Sequence, residues 1–415
     1  MKNKFNSVLV VGFNTRPLTY SLNKAGYNVY TVDFFGDLDL YPYVDDYIIV
    51  QKALKSNYEA LKDNYSEYLA QFTIELHQKH RDVKYLLIGS GLDDAYNERE
   101  LILDEIKNFN TISINNKINE LRKSRDFRYL SEILRTHSFK VPSSWSLENF
   151  QLSNKDTVFP LVLKKKYSAG GINVFKVEDR KELLSLITNL KNKNIIPSEW
   201  LIQEYIEGIP VSCTVISNGK ECEIVTINRQ IIGEKFLNSP KDFMYCGNIV
   251  PAGLSKSENE LISEIALVLT KELGLIGING FDFVLRDHYP YLMECNPRIP
   301  GSISASESVL NLNLLDLHIR SFDTDEWDTI KKIISSANIE KFATKLIYFA
   351  PKDIEKTKIP KINNLEFIHD KSEPIQNILE GAPLCSILYK ADSLSESYNG
   401  AKMIVNKINE IISSQ

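Results

Sequence analysis

The segment that most constrains this chain is residues 280–296, which read as two alternating apolar–polar strands separated by a short polar turn. A tight antiparallel register centred on His288 places Asp282 directly opposite Glu294. Asn296 then follows two residues further along the same face. The segment therefore predicts a hairpin that brings two carboxylates and an amide together.

Two facing carboxylates require a cation between them. Opposed side chains in a sheet have Cβ atoms about 5 Å apart, and like charges there are destabilising. Two carboxylates and an amide oxygen suit a hard ion that keeps positions open for phosphate oxygens and water. The hairpin thus predicts a magnesium or manganese site at Asp282, Glu294 and Asn296. Spacing alone fits the solvated face of an ordinary hairpin about equally well.

An arginine follows the predicted metal ligands directly. Residues 297–302 read Pro-Arg-Ile-Pro-Gly-Ser, so Arg298 stands just beyond the hairpin. A guanidinium there can clamp a phosphate or an oxyanion with two parallel hydrogen bonds. Arg298 is therefore the candidate catalytic residue, although an arginine taken alone is more often a surface ion-pair partner.

A lysine and a glycine loop upstream give a phosphate-cradle pattern. Residues 160–164 form an apolar strand that ends in Lys164, and Ser-Ala-Gly-Gly follows at 168–171. Backbone N–H groups at Gly170 and Gly171 can approach phosphate oxygens closely, while the lysine offers a point charge. A flexible glycine turn with solvated lysines is an alternative interpretation of the same residues.

Another apolar strand leads into residues 203–207, Gln-Glu-Tyr-Ile-Glu. An extended segment of this kind can pair its backbone with an adenine edge and reach a ribose with an acidic residue. A plain exit from strand to turn is equally compatible. The predicted nucleotide contacts are Gln203, Glu204, Tyr205, Ile206 and Glu207.

The first hundred residues predict a parallel α/β unit. A β-branched strand at 7–12, a helix, a second strand ending in Asp33 and a third at 83–89 give the β-α-β pattern. The Gly-x-Gly-x-x-Gly fingerprint is missing, which argues against a dinucleotide-binding dehydrogenase.

Open α/β sheets bind ligands at the carboxyl ends of their strands. The loops at those ends carry Arg16, Ser90 and Asp93, which we take as candidate substrate contacts. Arg229, Tyr245 and Asn248 are candidates for the opposite wall of the same cleft. All six also fit turn or packing roles.

The remaining pattern divides the chain into three parts. Residues 1–110 are expected to form a Rossmann-like unit, 111–325 a two-lobed unit whose lid spans about 155–206, and 326–415 a small β-rich lobe. Within the middle part, Ser-Glu-Asn-Glu at 257–260 predicts a capping box that opens an amphipathic helix ending at Gly274.

Composition excludes several classes of function. The formal net charge is -5, so the chain lacks the basic face that nucleic acid requires. No apolar run is long enough for a signal peptide or a membrane span, and we expect a cytoplasmic protein without a membrane partner. The five cysteines are scattered without a Cys-x-x-Cys pair, which argues against a zinc knuckle.

In chain order, the lysine strand, the glycine loop, Gln-Glu-Tyr-Ile, Phe-Asp-Phe and Glu-x-Asn-x-Arg resemble the ATP-grasp superfamily over about 116–320. Further segments resemble predicted ATP-dependent carboligases related to biotin carboxylase. These segments are 12–16, 33–39, 228–230 and 245–251. The resemblance implies an α/β ATP-grasp fold, with a Rossmann-like pre-domain, a two-lobed ATP-binding domain and a small C-terminal β-rich lobe.

The same resemblance implies roles for individual residues. ATP and magnesium ions are the expected cofactors, the latter held by the three hairpin residues. Lys164 would contact phosphates, residues 203–206 the adenine, and Arg298 the acyl phosphate and the tetrahedral intermediate.

Two departures from the family pattern bear on ATP binding. The family usually has a second ATP lysine where this chain has Phe127. Arg125 or Arg128 is the expected substitute. Pro210 stands near the usual position of a ribose glutamate, which leaves Glu207 as the candidate.

The leading functional prediction is a carboxylate–amine ligase that forms an acyl phosphate from ATP and releases ADP and phosphate. Its substrates would be a small-molecule carboxylate and an amine, and dimers are expected only by analogy. One alternative is a bicarbonate-dependent carboxylase that works through carboxyphosphate. A non-catalytic ATP-binding regulator is the other alternative, suggested by Phe127 and Pro210.

Overall fold

The structure is a computed structural model that describes residues 6–150, 157–167, 170–193 and 195–414. Positions 168–169 of the expected glycine loop lie outside the described residues. The described chain folds into three sheets: a five-stranded, a four-stranded and an eight-stranded sheet. Helices connect and cover them.

The five-stranded sheet is parallel and comes first in the chain. Its strands are β1 (Ser7–Gly12), β2 (Asn28–Asp33), β3 (Asp46–Ile49), β4 (Tyr85–Ile88) and β5 (Ile112–Ser113). Its helices are α1 (Arg16–Lys24), α2 (Val50–Ala53), α3 (Tyr58–Leu61), α4 (Tyr65–Lys79) and α5 (Tyr96–Ile106). The strand order is β3-β2-β1-β4-β5. The loops after β1 and β4 therefore leave the same carboxyl edge side by side.

Asp33 fixes the shape of that edge. Its buried carboxylate accepts backbone N–H bonds from Thr15 at 2.6 Å, Phe35 at 2.9 Å and Gly36 at 2.6 Å. These bonds hold the loop after β1 against the loop after β2. The carboxylate of Asp33, at the end of the second strand, therefore has a structural role: it accepts hydrogen bonds from the backbone of two loops.

Two helices, α6 (Ile118–Arg125) and α7 (Phe127–Thr136), lead to the four-stranded sheet. That sheet contains β6 (Ser144–Ser146), β7 (Leu161–Lys165), β8 (Val174–Val177) and β9 (Trp200–Glu204), with helix α8 (Arg180–Lys191) between the last two. The order is β6-β9-β7-β8.

The eight-stranded sheet is antiparallel and holds the predicted hairpin. Its strands are β10 (Ile209–Asn218), β11 (Cys222–Ile232), β12 (Tyr245–Val250), β13 (Ile276–Arg286), β14 (Tyr289–Asn296), β15 (Phe342–Phe349), β16 (Ile368–His369) and β17 (Pro383–Ala391). The order is β14-β13-β10-β11-β12-β15-β17-β16. The strands expected in a C-terminal lobe thus extend the same sheet and do not form one of their own.

Six further helices accompany this sheet. They are α9 (Lys256–Leu273), α10 (Ile303–Leu310), α11 (Leu314–Arg320), α12 (Trp327–Ser336), α13 (Ile359–Asn363) and α14 (Leu394–Ser413). Short 3-10 turns lie at Tyr41–Tyr43, Pro197–Glu199, Lys235–Leu237 and Thr324–Glu326.

The two faces of the eight-stranded sheet differ in chemistry. On one face Val211, Cys213 and Phe281 form a core with α9. Cross-strand pairing places polar side chains from six strands on the other face. We call these side chains the polar row: Glu294, Asp282, Ser212, Asn228, Gln230, Asn248 and Lys345.

Helix α9 begins two residues earlier than the predicted capping box. Ser255 is the N-cap, and its side chain and that of Glu258 form the reciprocal box. The predicted box at 257–260 was therefore wrong, because Ser-x-x-Glu occurs in two overlapping registers and the buried face of the helix selects one. The predicted end is confirmed, since Gly274 closes the helix with φ +63°.

No helix among the described residues is both long enough and apolar enough to cross a membrane.

Gly247 joins the C-terminal strands to the rest of the sheet. Its φ is +138°, and a Cβ there would collide with the carbonyl oxygen of Lys345 on β15. We expect Gly247→Ala to lower the free energy of unfolding by about 3 kcal/mol or more. Gly274→Ala is the control, since its φ is also positive but no atom lies within 4 Å of the added Cβ. Urea unfolding compares the two, and equal losses would contradict this prediction.

Candidate active site

The hairpin of β13 and β14 reaches the predicted acidic pairing by a different geometry. Asp287 and His288 form a two-residue turn, with φ of 50° and 62°. Continued regularly, that turn would pair Asp282 with Met293. A β-bulge at Met293 shifts the register, so Asp282 pairs with Glu294 and Gly280 with Asn296.

The Asp282 carboxylate accepts hydrogen bonds from two amides but forms no ion pair within the described residues. Its oxygens accept amide N–H bonds from Asn296 at 2.8 Å and from Gln230 at 3.0 Å. Burial, and then the neighbouring Glu294, raises the pKa of Asp282 to about 7, against weaker lowering by Arg298 and the two amides. The pair therefore carries a negative charge that a cation would stabilise.

Arg125, at the end of α6, ties Glu294 to the N-terminal part of the chain. Its guanidinium contacts the Glu294 carboxylate. It also donates to both oxygens of Asp94, each at 3.0 Å. The side chain of Arg125 is 2% exposed. Asp94 therefore positions the arginine that holds a predicted metal ligand.

Arg298 is held in a similar way by the loop after β4. Its Nε donates to the buried carboxylate of Asp93, and its Nη1 donates to the carbonyl oxygen of Ile299 at 3.2 Å. Burial alone would raise the pKa of Asp93, but Arg298 and then Arg125 outweigh it and keep the pKa below its ordinary value. Within the described chain, no group accepts from Nη2 of Arg298.

Lys164 reaches from the four-stranded sheet to the hairpin. Its ammonium donates to the carbonyl oxygen of Met293 at 3.3 Å, the residue that forms the bulge. It also lies over the ring of Phe127, 4.9 Å from the centroid. Burial lowers the pKa of Lys164 to about 8, and Glu294 opposes that shift. Phe127, which replaces the family lysine, thus supports the remaining one.

The segment after β9 crosses from the small sheet to the large one. Gln203 is buried, and its Nε2 has no hydrogen-bond partner among the described residues. Glu204 pairs with Arg286 at 3.1 Å and is not free for a ribose. Tyr205 lies under Lys176, Ile206 is buried and Glu207 is exposed.

The two predicted glycines have different surroundings. Both have positive φ, +68° at Gly170 and +75° at Gly171. A Cβ at Gly171 would collide with the carbonyl of Phe243, whereas one at Gly170 would meet nothing within 4 Å. The Lys241 ammonium also donates to the Ile172 carbonyl at 2.8 Å. The loop therefore packs against the connection between β11 and β12.

Of the two arginines considered for the missing lysine, the structure brings Arg125 to the site. Arg128 is exposed on α7, and no described carboxylate pairs with it. The helix break at Asp126 separates them, since Asp126 caps α7 through the N–H groups of Arg128 and Tyr129. From the sequence, residues 116–140 read as one continuous polar helix, so the break at Asp126 could not be predicted.

The candidate substrate residues fall into separate places. The carboxylate of Asp93 forms an ion pair with Arg298. Arg16 is buried in ion pairs with Asp370 at 2.9 Å and Asp39 at 3.5 Å. Ser90 lies at the edge that the candidate cleft would use, where its carbonyl accepts the N–H of Phe13 at 2.9 Å.

The candidates from the other wall split across the sheet. Arg229 pairs with Val211 and Ile249, so it points to the apolar face, opposite to the one expected. Asn248 pairs with Gln230 and belongs to the polar row. The Tyr245 hydroxyl donates to Asn248 Oδ1 at 2.8 Å, and burial raises the Tyr245 pKa well above its ordinary value.

The donor set fits a magnesium ion that is bound together with phosphates. Among the residues described, no group of three histidine, cysteine or acidic side chains could hold a metal unaided. Asp282, Glu294 and the Asn296 amide supply two carboxylates and one neutral oxygen. Magnesium is commonly held by one or two carboxylates plus substrate phosphates. The half-buried Asp282 carboxylate, whose pKa is raised by desolvation and by Glu294, is the observation that favours a cation here.

Two charged residues escaped sequence reasoning. Arg99 acts on the charge of Asp93 at the site but lies in a segment that reads as an ordinary helix. Lys345 is buried on β15, which three strands separate from β13. A lysine among apolar residues on β15 was the one available signal for Lys345. The bulge at Met293 had no sequence signal.

Comparison with known proteins places these residues in a family context. Residues 125–302 match the model of the ATP-grasp domain. An uncharacterized protein of Methanocaldococcus jannaschii is 27% identical over 419 residues, which cover 97% of this chain and 91% of that one. The predicted resemblance to the ATP-grasp superfamily is confirmed over residues 125–302, and the predicted fold is confirmed.

Two solved structures share the fold over almost the whole chain. The L-amino acid ligase of Bacillus licheniformis has a TM-score of 0.68 at 15% identity, with 97% of each chain covered. The biotin carboxylase of Campylobacter jejuni, in complex with an ATP analogue, has a TM-score of 0.71 at 15% identity. That alignment covers 97% of this chain and 91% of the carboxylase.

Replacing Asp282 by asparagine should stabilise the ligand-free protein at high pH. Its folded pKa of about 7 lies above the ordinary 3.8. Wild type therefore loses stability as the pH rises from about 4 to 7 and the buried group ionises, by up to ~4 kcal/mol. Urea unfolding in EDTA at pH 5 and pH 8 should show the variant gaining over wild type at pH 8. The exposed Asp82→Asn is the control, and a pH-independent difference would contradict the assignment.

Removing the Arg125 guanidinium should destabilise the chain, because Asp94 and Glu294 both lose their counter-charge. We expect Arg125→Met to cost about 3 kcal/mol, the usual loss for an unmatched buried ion pair. Arg128→Met should stay within ~0.5 kcal/mol of wild type, since that side chain is exposed. The urea midpoints of the two variants are compared. Equal midpoints would show that the Arg125 ion pairs do not stabilise the fold.

Proposed function

We propose that the chain is an ATP-dependent ligase of the ATP-grasp superfamily that joins a carboxylate to an amine through an acyl phosphate. The observation that carries the proposal is the facing Asp282–Glu294 pair with Lys164 and Arg298 beside it. Such a cluster neutralises the charge of phosphates and of an oxyanion.

Each group has a distinct part in the proposed reaction. The segment 203–206 would bind the adenine, and the unpartnered amide of Gln203 is one donor suited to a base edge. Lys164 would bind phosphate oxygens from the four-stranded sheet. Asp282, Glu294 and Asn296 would hold magnesium, which supplies charge neutralisation for the phosphates.

The two chemical steps balance as follows. A carboxylate oxygen of the substrate attacks the γ-phosphorus, and the bond from that phosphorus to ADP breaks. The amine nitrogen then attacks the acyl carbon and loses a proton, and phosphate leaves with the electrons of the acyl–oxygen bond. Positioning and electrostatics dominate phosphoryl transfer, which suits this set of residues.

Arg298 is the residue we assign to the acyl phosphate. Asp93 accepts from its Nε and the Ile299 carbonyl accepts from its Nη1, which fixes the plane of the guanidinium and leaves Nη2 without an acceptor among the described residues. A fixed arginine stabilises a developing oxyanion better than a mobile one, because its orientation is set before the reaction begins.

Arg125 is the residue we assign to the place of the missing lysine. Its guanidinium contacts Glu294 and lies in the same charge cluster as Lys164. In the bound state it would share Glu294 with the metal and reach a phosphate. A guanidinium retains its charge when buried, whereas a second lysine beside Lys164 would not.

A bicarbonate-dependent carboxylase is the second candidate, favoured by the shared fold with biotin carboxylase. In that case bicarbonate replaces the carboxylate substrate and carboxyphosphate replaces the acyl phosphate. The same residues would serve both reactions, so substrate dependence must separate them.

ADP release from magnesium-ATP tests the proposal. Panels of carboxylates and amines, with and without bicarbonate, should give turnover that requires one carboxylate and one amine. Arg298→Ala should lower kcat about 100-fold or more with little change in the KM for ATP, because the lost contact forms at the oxyanion. The exposed Arg135→Ala is the control.

Bicarbonate-dependent turnover would support the carboxylase instead. Tight ATP binding without turnover on the whole panel would contradict both reactions and favour a regulator. An unaffected Arg298→Ala enzyme would remove Arg298 from the mechanism.

A further inference from the structure

Lys345, on β15 of the polar row, is a buried cation with few partners. The residue is 6% exposed, and its Nζ donates to the carbonyl oxygen of Gly301 at 3.3 Å. No described carboxylate lies within 4.0 Å of that nitrogen. Burial lowers the pKa of Lys345 although Asp370 attracts its charge. An ammonium has three donors, so most of its capacity is unused.

Two more unused polar groups lie beside it. Asn248 is 0% exposed and pairs with Lys345 across β12 and β15. Its Oδ1 accepts the Tyr245 hydroxyl, but its Nδ2 has no partner within the described residues. The Oγ of Ser302, next to Gly301, is likewise buried and unpartnered in that part of the chain. Buried donors are normally satisfied, so this grouping calls for a ligand.

The nearby acids are engaged elsewhere. Arg16 takes one oxygen of Asp370 at 2.9 Å, and the Ser386 hydroxyl donates to the other. Asp39 accepts the backbone N–H groups of Asp370 and Lys371. These contacts lock the loop after β2 onto the loop before β17. They leave Lys345 without a direct counter-ion.

We propose that Lys345 and Asn248 form a second anion subsite, which binds a carboxylate through the ammonium, the Asn248 Nδ2 and the Ser302 hydroxyl. Asp370 and Asp37 act on the Lys345 charge and Arg16 opposes them, so one buried ammonium matches a singly charged group better than a doubly charged one. The subsite therefore takes a singly charged carboxylate in preference to a phosphate.

This carboxylate is not the one that reacts. Three strands separate β13 from β15 in the sheet, so the strands that carry Asp282 and Lys345 lie roughly 19 Å apart. The subsite adds a substrate class to the proposed ligase reaction, and this inference rests on that proposed function. The substrate pair carries a second carboxylate, as an amino acid nucleophile or a dicarboxylic acid does.

The first test is the stability of ligand-free Lys345→Met, read as a melting temperature. Because burial outweighs the attraction of Asp370, removing the charge should leave the melting temperature equal to or above that of wild type. Lys390→Met is the matched control, an exposed strand lysine that also donates to a backbone carbonyl, at 3.1 Å. A clear fall for Lys345→Met alone would show a structural lysine and overturn the proposal.

The second test measures binding with succinate as the probe, against sodium chloride at matched ionic strength. Succinate should raise the melting temperature of wild type and of Lys390→Met. It should do so much less for Lys345→Met and for Asn248→Ala. No rise in wild type, or an equal rise in Lys345→Met, would overturn the subsite whether or not any turnover is found.

The third test joins the subsite to catalysis. Glycine is compared with methylamine, and succinate with butyrate, in the ADP-release assay. Lys345→Met should raise the KM of the partner with the second carboxylate at least ~10-fold, with the KM for ATP unchanged. If methylamine is used as well as glycine, and butyrate as well as succinate, the subsite is overturned while the ligase proposal still holds. No turnover on the whole panel would count against the ligase reaction, while the succinate result stands alone.

Discussion

The pairing of two facing carboxylates, the half-buried Asp282 and the more exposed Glu294, is the constraint on which the site depends. Neither carboxylate can be ionised at low cost unless positive charge or hydrogen-bond donors approach it. Arg125 supplies the charge from α6, and Asn296 and Gln230 supply donors from the sheet. Contacts to this one pair therefore draw on the eight-stranded sheet and on the helix that precedes the four-stranded one.

The same pair links the site to the N-terminal unit. Asp94 holds Arg125 and Asp93 holds Arg298, so two adjacent residues after β4 position both arginines. On the far side, Lys164 reaches the bulge carbonyl of Met293. Ion pairs and single hydrogen bonds thus join three parts of the chain at the site, while an apolar core also joins the N-terminal unit to the eight-stranded sheet.

Several of the unsatisfied buried polar groups lie where ligands are proposed, while others, such as those of His77, Trp327 and Asn363, lie elsewhere. Gln203, Asn228 and Asn248 are almost fully buried, yet each has an atom without a partner among the described residues. Asn228 and Asn248 lie on the polar row, and Gln203 lies at the crossing between two sheets. Such groups lower the stability of the free protein and are retained where a ligand completes them. The apolar face of the same sheet, under α9, has the ordinary close-packed character of a core.

The sequence by itself determined the strand pattern, the lysine strand and the order of motifs that resembles the ATP-grasp superfamily, because alternation and local turn chemistry are encoded in neighbouring residues. Tertiary structure decided the rest. Burial chose the first of two capping boxes for α9, and a bulge without a sequence signal set the hairpin register. Strand alternation turned Arg229 away from the site, and a helix break put Arg125 into it in place of Arg128. Each outcome depends on what packs across space, which neighbouring residues do not specify.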